Sequence, residues 1–114
     1  IRVHKNADIT KAVVGYSCAY GTPLKRLAKI ESKLNGLGVP RMSHLWSPAF
    51  ELSLVASGHF SGMIIDHCEL YDFLAGKFIA KQAGASITNI GKNTDTNATF
   101  IIWTSHLETA LNMV

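Results

Sequence analysis

The stretch from Glu69 to Gly76 reads E-L-Y-D-F-L-A-G and marks the point where a turn passes into an amphipathic segment. From Asp72 onward, apolar side chains recur at helical spacing while Lys77 and Lys81 point away from them; the apolar stripe consists of Tyr71, Leu74, Ala75, Phe78 and Ile79. The pattern predicts a helix that starts at Asp72. The Asp72 carboxylate either stabilises the start of this helix through the helix dipole or forms part of a cation site.

Strand-like and helix-like segments alternate through the rest of the chain. Thr22-Pro23 and Ser47-Pro48 each read as a capping residue followed by proline at the first helical position, so each predicts the start of a helix. Strands are predicted at residues 11–19, 41–46, 60–65, 85–90 and 98–103, and a last helix at 106–113. The order β-α-β-α-β-α-β-β-α predicts a single α/β domain over residues 1–114, a layered sandwich with a central mixed, mostly parallel five-stranded sheet flanked by helices.

Bulk properties narrow the class of protein. A chain of 114 residues with 47% hydrophobic content can bury one core but not two. No apolar run approaches the roughly 18 residues of a membrane span, and the first residues lack the apolar region of a secretory signal, so we expect a cytoplasmic protein. The chain begins with Ile1 rather than Met, which suggests a piece of a longer protein. Cys18 and Cys68 are expected to be reduced thiols.

The net charge of +3 does not by itself indicate a nucleic-acid partner. Much of the basic charge lies on one predicted helix as Lys25, Lys29 and Lys33, and lysines spaced by four usually form a solvated helix face. Nucleic acid is therefore an unlikely partner on sequence grounds, and no membrane partner is expected.

The richest cluster of acids lies at a predicted strand-to-helix junction. Asp66, Glu69 and Asp72 fall within seven residues, at a kind of position where ligands collect in open α/β sheets. They could provide oxygen ligands for Mg²⁺, which usually takes one or two carboxylates together with waters and substrate phosphate. A zinc site at His67 and Cys68 lacks a second pair of ligands at suitable spacing, and no strained turn of the G-x-S-x-G type supports a serine nucleophile.

Two stretches resemble the second half of the inositol monophosphatase family. They are W-S-P-A-F-E-L-S-L-V-A-S-G at 46–58 and Y-D-F-L-A-G at 71–76, followed by K-Q-A-G at 81–84. The resemblance implies a Mg²⁺-dependent phosphatase of small phosphorylated molecules such as inositol monophosphate or a sugar phosphate. It implies that Asp72 is a metal ligand and that Trp46 and Ser47 belong to the loop that lines the substrate pocket, with Asp66 close enough to take over a hydroxyl contact.

The chain also departs from the family pattern. Trp46 stands where the family prefers Gly, Ile65 where many members carry a substrate-contacting Glu, and Tyr71 where Trp is usual. The G-E-E and D-P-I-D-G-T motifs, which supply most of the family's metal ligands, do not occur. The chain is therefore expected to be a C-terminal domain, inactive alone, whose partner is the N-terminal half of the same protein; a homodimer stays open. The alternative is a non-catalytic regulatory or protein-interaction module that retains the fold.

Overall fold

A computed structural model describes residues 9–90 and 97–103 of the chain. After a short 3-10 turn at Ile9–Lys11, strands and helices alternate as far as α3, and two strands then follow. The elements are β1 (Val13–Cys18), α1 (Leu24–Gly36), β2 (Arg41–Ser43), α2 (Pro48–Ala56), β3 (Gly62–Glu69), α3 (Leu70–Gln82), β4 (Ser86–Asn89) and β5 (Asn97–Trp103). The predicted last helix at 106–113 lies outside the described residues.

The strands form one sheet in the order β2-β1-β3-β5-β4. β1 pairs in parallel with both β2 and β3, whereas β5 is antiparallel to β3 and to β4. Four of the five strands consequently run in one direction and β5 opposes them. The expected layered α/β architecture with a mixed, mostly parallel sheet is confirmed.

Helices cover both faces of this sheet because successive strand residues point to opposite sides. On one face, Met63 and Ile65 of β3 pack with Leu52 of α2 and Phe73 of α3. On the other face, Ile64 of β3 packs in a second cluster with residues of α1 that include Ile30 and Leu34. The central strands β1, β3 and β5 are therefore almost continuously buried, as expected for strands covered on both faces.

β3 is longer than the sequence pattern suggests. The pattern predicts a strand that ends at Ile65 and a helix that starts at Asp72, but the strand continues to Glu69 and α3 starts at Leu70. The pairing of β3 with β5 shifts register between Ile65 and Cys68, and His67 adopts a left-handed backbone with φ 57°. The His67 N–H donates to Thr99 Oγ1, so contacts from β5 support this bulge. Because this pairing joins residues that are far apart in the chain, the local sequence gives little indication of it.

The capping residues also differ from the prediction. Thr22 does not cap α1; its hydroxyl donates to the Ala19 carbonyl at 2.6 Å, and Pro23 occupies the N-cap position. Ser47 is the N-cap residue of α2, but its side chain makes no capping hydrogen bond. The pattern of a capping residue followed by proline thus predicted where both helices start, but the side-chain capping hydrogen bonds that it implies are not formed.

The face of α3 that meets the core is not the one with the largest apolar side chains. Phe73, Gly76 and Ala80 are the buried residues, while most of the apolar stripe from Tyr71 to Ile79 is exposed. Lys77, expected to point away, places its ammonium 4.4 Å from the centre of the Phe100 ring, and burial followed by the nearby Lys81 charge lowers its pKa. Small residues decide the orientation because they allow α3 to approach α2 closely.

Gly76 is the point of closest approach between α2 and α3. A Cβ added at Gly76 would lie 2.8 Å from Leu52 Cβ and 3.0 Å from Leu52 Cδ1. We expect Gly76→Ala to lower the free energy of unfolding by about 1 kcal/mol, because an overpacking cost of about 2 kcal/mol exceeds the roughly 1 kcal/mol gained in helix propensity. Urea-induced unfolding of the wild type and of Gly76→Ala measures this change in the free energy of unfolding. The matched control is Gly36→Ala in α1, where the added Cβ meets nothing within 4 Å and stability should not fall; a Gly76→Ala protein as stable as the wild type would contradict this packing.

Among the helices of residues 9–90 and 97–103, none combines the length and the apolar character that crossing a bilayer requires.

Candidate functional site

A cleft of about 430 Å³ opens at the carboxyl ends of the parallel strands. Its walls come from three segments: the end of β1 with the residues that follow it, from Ser17 to Tyr20; the loop that enters α2, at Trp46; and the junction of β3 and α3, from Cys68 to Asp72. Its size falls in the range of roughly 300–1,000 Å³ that is common for small-molecule sites. Carboxyl ends of parallel strands are also where open α/β sheets usually bind ligands.

The charge on the walls of this cleft is negative. Asp72, in the first turn of α3, and Glu69, the last residue of β3, both line it and both are exposed. No lysine or arginine belongs to the described residues that line the cleft. The site is therefore suited to a cation rather than to a bare phosphate.

Two carboxylates at one edge fit part of a magnesium site. Mg²⁺ commonly takes one or two carboxylates and completes its shell with waters and substrate phosphate. Within residues 9–90 and 97–103, however, no three His, Cys, Asp or Glu side chains converge as a metal-binding group. Asp72 and Glu69 thus fit one side of a cation site, and further ligands have to come from elsewhere.

Three exposed aromatic side chains stand around the same cleft. Trp46 is 59% exposed and stacks on Tyr20, with ring centres 6.0 Å apart and planes 19° from parallel. Tyr71 lines the cleft from α3 and is 81% exposed. A hydrogen bond between the Tyr71 hydroxyl and the Glu69 carboxylate is the main cause of the raised pKa of Tyr71. The aromatic groups come from three different segments, so no single amphipathic pattern explains them.

A buried glutamate supports the loop that carries Trp46. Glu51, in the first turn of α2, is fully buried; its Oε1 accepts from the Ser17 hydroxyl at 3.2 Å and from the Leu45 N–H at 3.3 Å. Its Oε2 has no partner among the described residues and lies near Gly15, where an added Cβ would be 2.6 Å away. Burial raises the pKa of Glu51 although these donors oppose the rise. In the sequence, Glu51 is the one acid within the apolar run at 48–56, and this pattern alone did not predict a role for it.

Asp66 is the centre of a polar cluster behind the cleft. Its carboxylate is fully buried and accepts from the Tyr16 hydroxyl at 2.6 Å, while Arg26 of α1 binds both of its oxygens through Nε and Nη2. His67 Nδ1 is 2.9 Å from Asp66 Oδ1. Burial is the largest single influence on the Asp66 carboxyl and opposes its charge, but the hydrogen bonds from Arg26, Tyr16 and His67 and the Arg26 charge together hold its pKa below the usual value. The cluster ties α1 to β1 and β3.

The thiol of Cys68 is a structural group in this wall. It is buried and contacts the Ser17 carbonyl at 3.5 Å, and burial raises its pKa to about 12. A thiol with so high a pKa is almost entirely protonated at neutral pH and is a poor nucleophile. Both described cysteines are free.

The structure brings only some of the predicted site residues together. Asp72 and Trp46 line the cleft, and Ser47 lies between two lining residues without being one of them. Asp66 is not a lining residue, because its carboxylate is buried and occupied by Tyr16 and Arg26. Instead of Asp66, Glu69 is the second acid beside Asp72.

Comparison with known proteins gives a family match and a fold match. The model of the inositol monophosphatase family matches residues 1–112. A search of curated protein sequences returned no significant match. Similar solved structures include SuhB of Mycobacterium tuberculosis (TM-score 0.80, 18% identity), the extragenic suppressor protein SuhB of Bartonella henselae (0.82, 18%) and an inositol monophosphatase from Anabaena (0.80, 22%). At these identities the structural likeness shows the fold alone.

The chain corresponds to less than half of those proteins. The matches cover 98%, 98% and 100% of this chain but only 44%, 44% and 48% of the three relatives, in the same order.

Proposed function

Because the chain belongs to the inositol monophosphatase family, we propose that it is the C-terminal domain of a Mg²⁺-dependent phosphatase of small phosphate monoesters, such as inositol monophosphate or a sugar phosphate. The observation that carries the proposal is the joint placement of Asp72 and Glu69 in an acidic cleft at the carboxyl ends of parallel strands. A phosphate ester would be repelled by this cleft unless a cation lay between the two.

Asp72 is the residue that would hold the cation, with Glu69 beside it. When bound, Mg²⁺ would polarise the phosphoryl oxygens and lower the pKa of an attacking water. The chain's own contribution is positioning. Asp72 is fixed in the first turn of α3, and the backbone N–H groups at the starts of α2 and α3 present positive dipole ends near the cleft. Ser47 and Trp46 would border the substrate at the entrance to α2.

The remaining ligands would come from the N-terminal half of the same protein. An apolar surface formed by Phe50 of α2 with Leu74 and Phe78 of α3 is more than half exposed at each residue. Apolar side chains at helical spacing on adjoining helices normally face a partner. Since the relatives are more than twice as long as this chain, we assign that surface to the absent half, which would complete the cation site as it packs.

Metal binding by the chain itself tests the role of Asp72. With Mn²⁺ added as a paramagnetic probe, we expect selective broadening of the amide NMR signals of residues 18–20, 46 and 69–72. Asp72→Asn should raise the Mn²⁺ concentration needed for this broadening by at least tenfold. Mutation of a residue that only supports a metal ligand typically lowers metal affinity roughly 10- to 100-fold, and loss of the ligand itself should cost no less. The matched control is Glu31→Gln on α1, an exposed acid that does not line the cleft. Equal broadening in wild type and Asp72→Asn would refute the assignment.

A non-catalytic interaction module is the alternative function. It is favoured by one observation, the bulky Trp46 ring standing in the cleft. Phosphatase activity in a longer chain that carries the relatives' N-terminal half would exclude it.

A further inference from the structure

The aromatic residues of the cleft form a surface that the proposed phosphate chemistry does not use. Tyr20, Trp46 and Tyr71 line the same space and are 96%, 59% and 81% exposed. We refer to these three residues as the aromatic wall. Leaving three large rings in water is unfavourable, because each forgoes the burial of a large apolar area. A flat ligand would cover them.

The backbone at Trp46 gives an independent reason to assign a role to this side chain. Its φ of 56° is left-handed, a conformation that costs a residue with a Cβ roughly 1–2 kcal/mol and that glycine adopts freely. The bond from the Leu45 N–H to buried Glu51 helps to hold this loop in place. An indole kept at a position where glycine would be unstrained is better explained by what the ring contacts than by the fold.

The charge of the cleft restricts what can lie against the wall. Its ionisable carboxylates are Glu69 and Asp72, and no basic side chain lines it. A negatively charged ring would be repelled, whereas a neutral nitrogen heterocycle would be accepted and could donate hydrogen bonds to the carboxylates. The volume of about 430 Å³ is sufficient for a nucleoside-sized molecule.

We propose that the aromatic wall stacks a planar, neutral heteroaromatic ring, so that the ester taken by this site is nucleoside-like rather than a cyclitol or simple sugar phosphate. That the ligand carries a phosphate ester rests on the proposed function, but the contact between its ring and the aromatic wall does not require a metal. Base stacking on an aromatic side chain is sequence-tolerant, and its loss by substitution corresponds to roughly 5- to 150-fold in affinity.

Tryptophan fluorescence provides a direct test with adenosine as the probe and no phosphate present. Trp46 is exposed, whereas Trp103 is only 6% exposed and donates its N–H to Thr88, so quenching by a ligand in the cleft reports on Trp46. We expect saturable quenching by adenosine and none by ribose or myo-inositol. Saturable quenching by ribose as strong as by adenosine, or no saturation with adenosine, would overturn the proposal.

Substitutions at Tyr71 separate stacking from a general effect on the fold. Tyr71→Leu should weaken adenosine binding by roughly 5- to 150-fold, while Tyr71→Phe, which keeps the ring, should stay within about threefold of wild type. The control is Phe78→Leu, because Phe78 is a 63% exposed aromatic residue of the same helix that does not line the cleft. An equal loss in Tyr71→Leu and Phe78→Leu would contradict a stacking role.

Asp72→Asn distinguishes this proposal from the proposed function. The variant should keep saturable adenosine binding, because the aromatic wall is intact and the amide oxygen of the replaced side chain can still accept a hydrogen bond, while it loses its response to Mn²⁺. If the wild type fails to bind adenosine while its Mn²⁺ response is intact, the ring proposal falls and the metal site stands. If the wild type binds adenosine but shows no response to Mn²⁺, the ring site is supported and the metal site is removed.

Discussion

Arg26→Met is expected to lower the free energy of unfolding by about 2–3 kcal/mol at pH 7. The substitution keeps the apolar stem but removes the guanidinium from a carboxylate that is fully buried. Removing one partner of a buried ion pair typically costs about 3–5 kcal/mol. The expected loss is smaller here because Asp66 keeps its bonds to Tyr16 and His67, and because the Arg26 side chain is 40% exposed. Urea unfolding monitored by fluorescence measures the change.

The pH dependence of this loss identifies its cause. The pKa of Asp66 is lowered in the folded protein, so its contribution to stability is present above the unfolded pKa and is lost as pH falls through the folded value. In Arg26→Met, burial would outweigh the remaining hydrogen bonds and the carboxyl would resist ionisation. The difference between the two proteins should therefore be large at neutral pH and shrink as pH falls towards the lowered pKa of Asp66 in the wild type, below which both carboxyls are protonated.

Lys25→Met is the matched control for the Arg26 substitution. Lys25 is an exposed cation in the same turn of α1, and its replacement should change stability by no more than about 0.5 kcal/mol. A loss in Arg26→Met that did not vary between pH 3 and pH 7 would indicate lost packing of the stem rather than of the charge pair. A loss no larger than that of Lys25→Met would show that Asp66 does not depend on Arg26.

The architecture was predictable from the sequence because its signals are local. Glycine and proline mark the ends of α1 and α2, and the five predicted strand segments coincide with the five strands that the structure describes, although only some of these segments are apolar runs. The placement of Asp72 at the end of a strand and the start of a helix followed from the same local pattern. The resemblance of its loop to a family predicts that Trp46 borders a substrate pocket; Trp46 lines the cleft, and its contact with a substrate stays a prediction.

Features that depend on distant partners were not predictable in this way. β3 continues past Ile65 because β1 pairs with it at Asp66 and β5 pairs with it again beyond a bulge. Asp66 looked like a ligand near Asp72, but its partner Arg26 is 40 residues away in the chain. A sequence pattern shows that an acid is present; it does not show which side chain will reach it.

The predicted orientation of α3 was wrong for a different reason. The helix has apolar residues on nearly every side, so periodicity does not select one face. Gly76 selects the face through its close approach to Leu52. One consequence bears on function: the large side chains Leu74 and Phe78 are left exposed, and they belong to the surface for which we propose a partner segment.

Asp72→Asn in a longer chain that carries the relatives' N-terminal half tests whether Asp72 holds a catalytic cation. The substitution keeps the shape of the side chain and removes the charge that would hold Mg²⁺, so kcat/KM for phosphate monoesters should fall on the order of 10²-fold or more, the scale for loss of a group that stabilises charge in a transition state. Several esters should be assayed, including nucleoside phosphates and inositol monophosphate.

The control in this assay is Glu31→Gln, which removes an exposed acid far from the cleft-lining segments in sequence and should leave turnover within about twofold of wild type. We expect Mg²⁺-dependent turnover by the wild type and by Glu31→Gln, and its loss in Asp72→Asn. Turnover by Asp72→Asn equal to that of the wild type would show that Asp72 does not hold a catalytic cation.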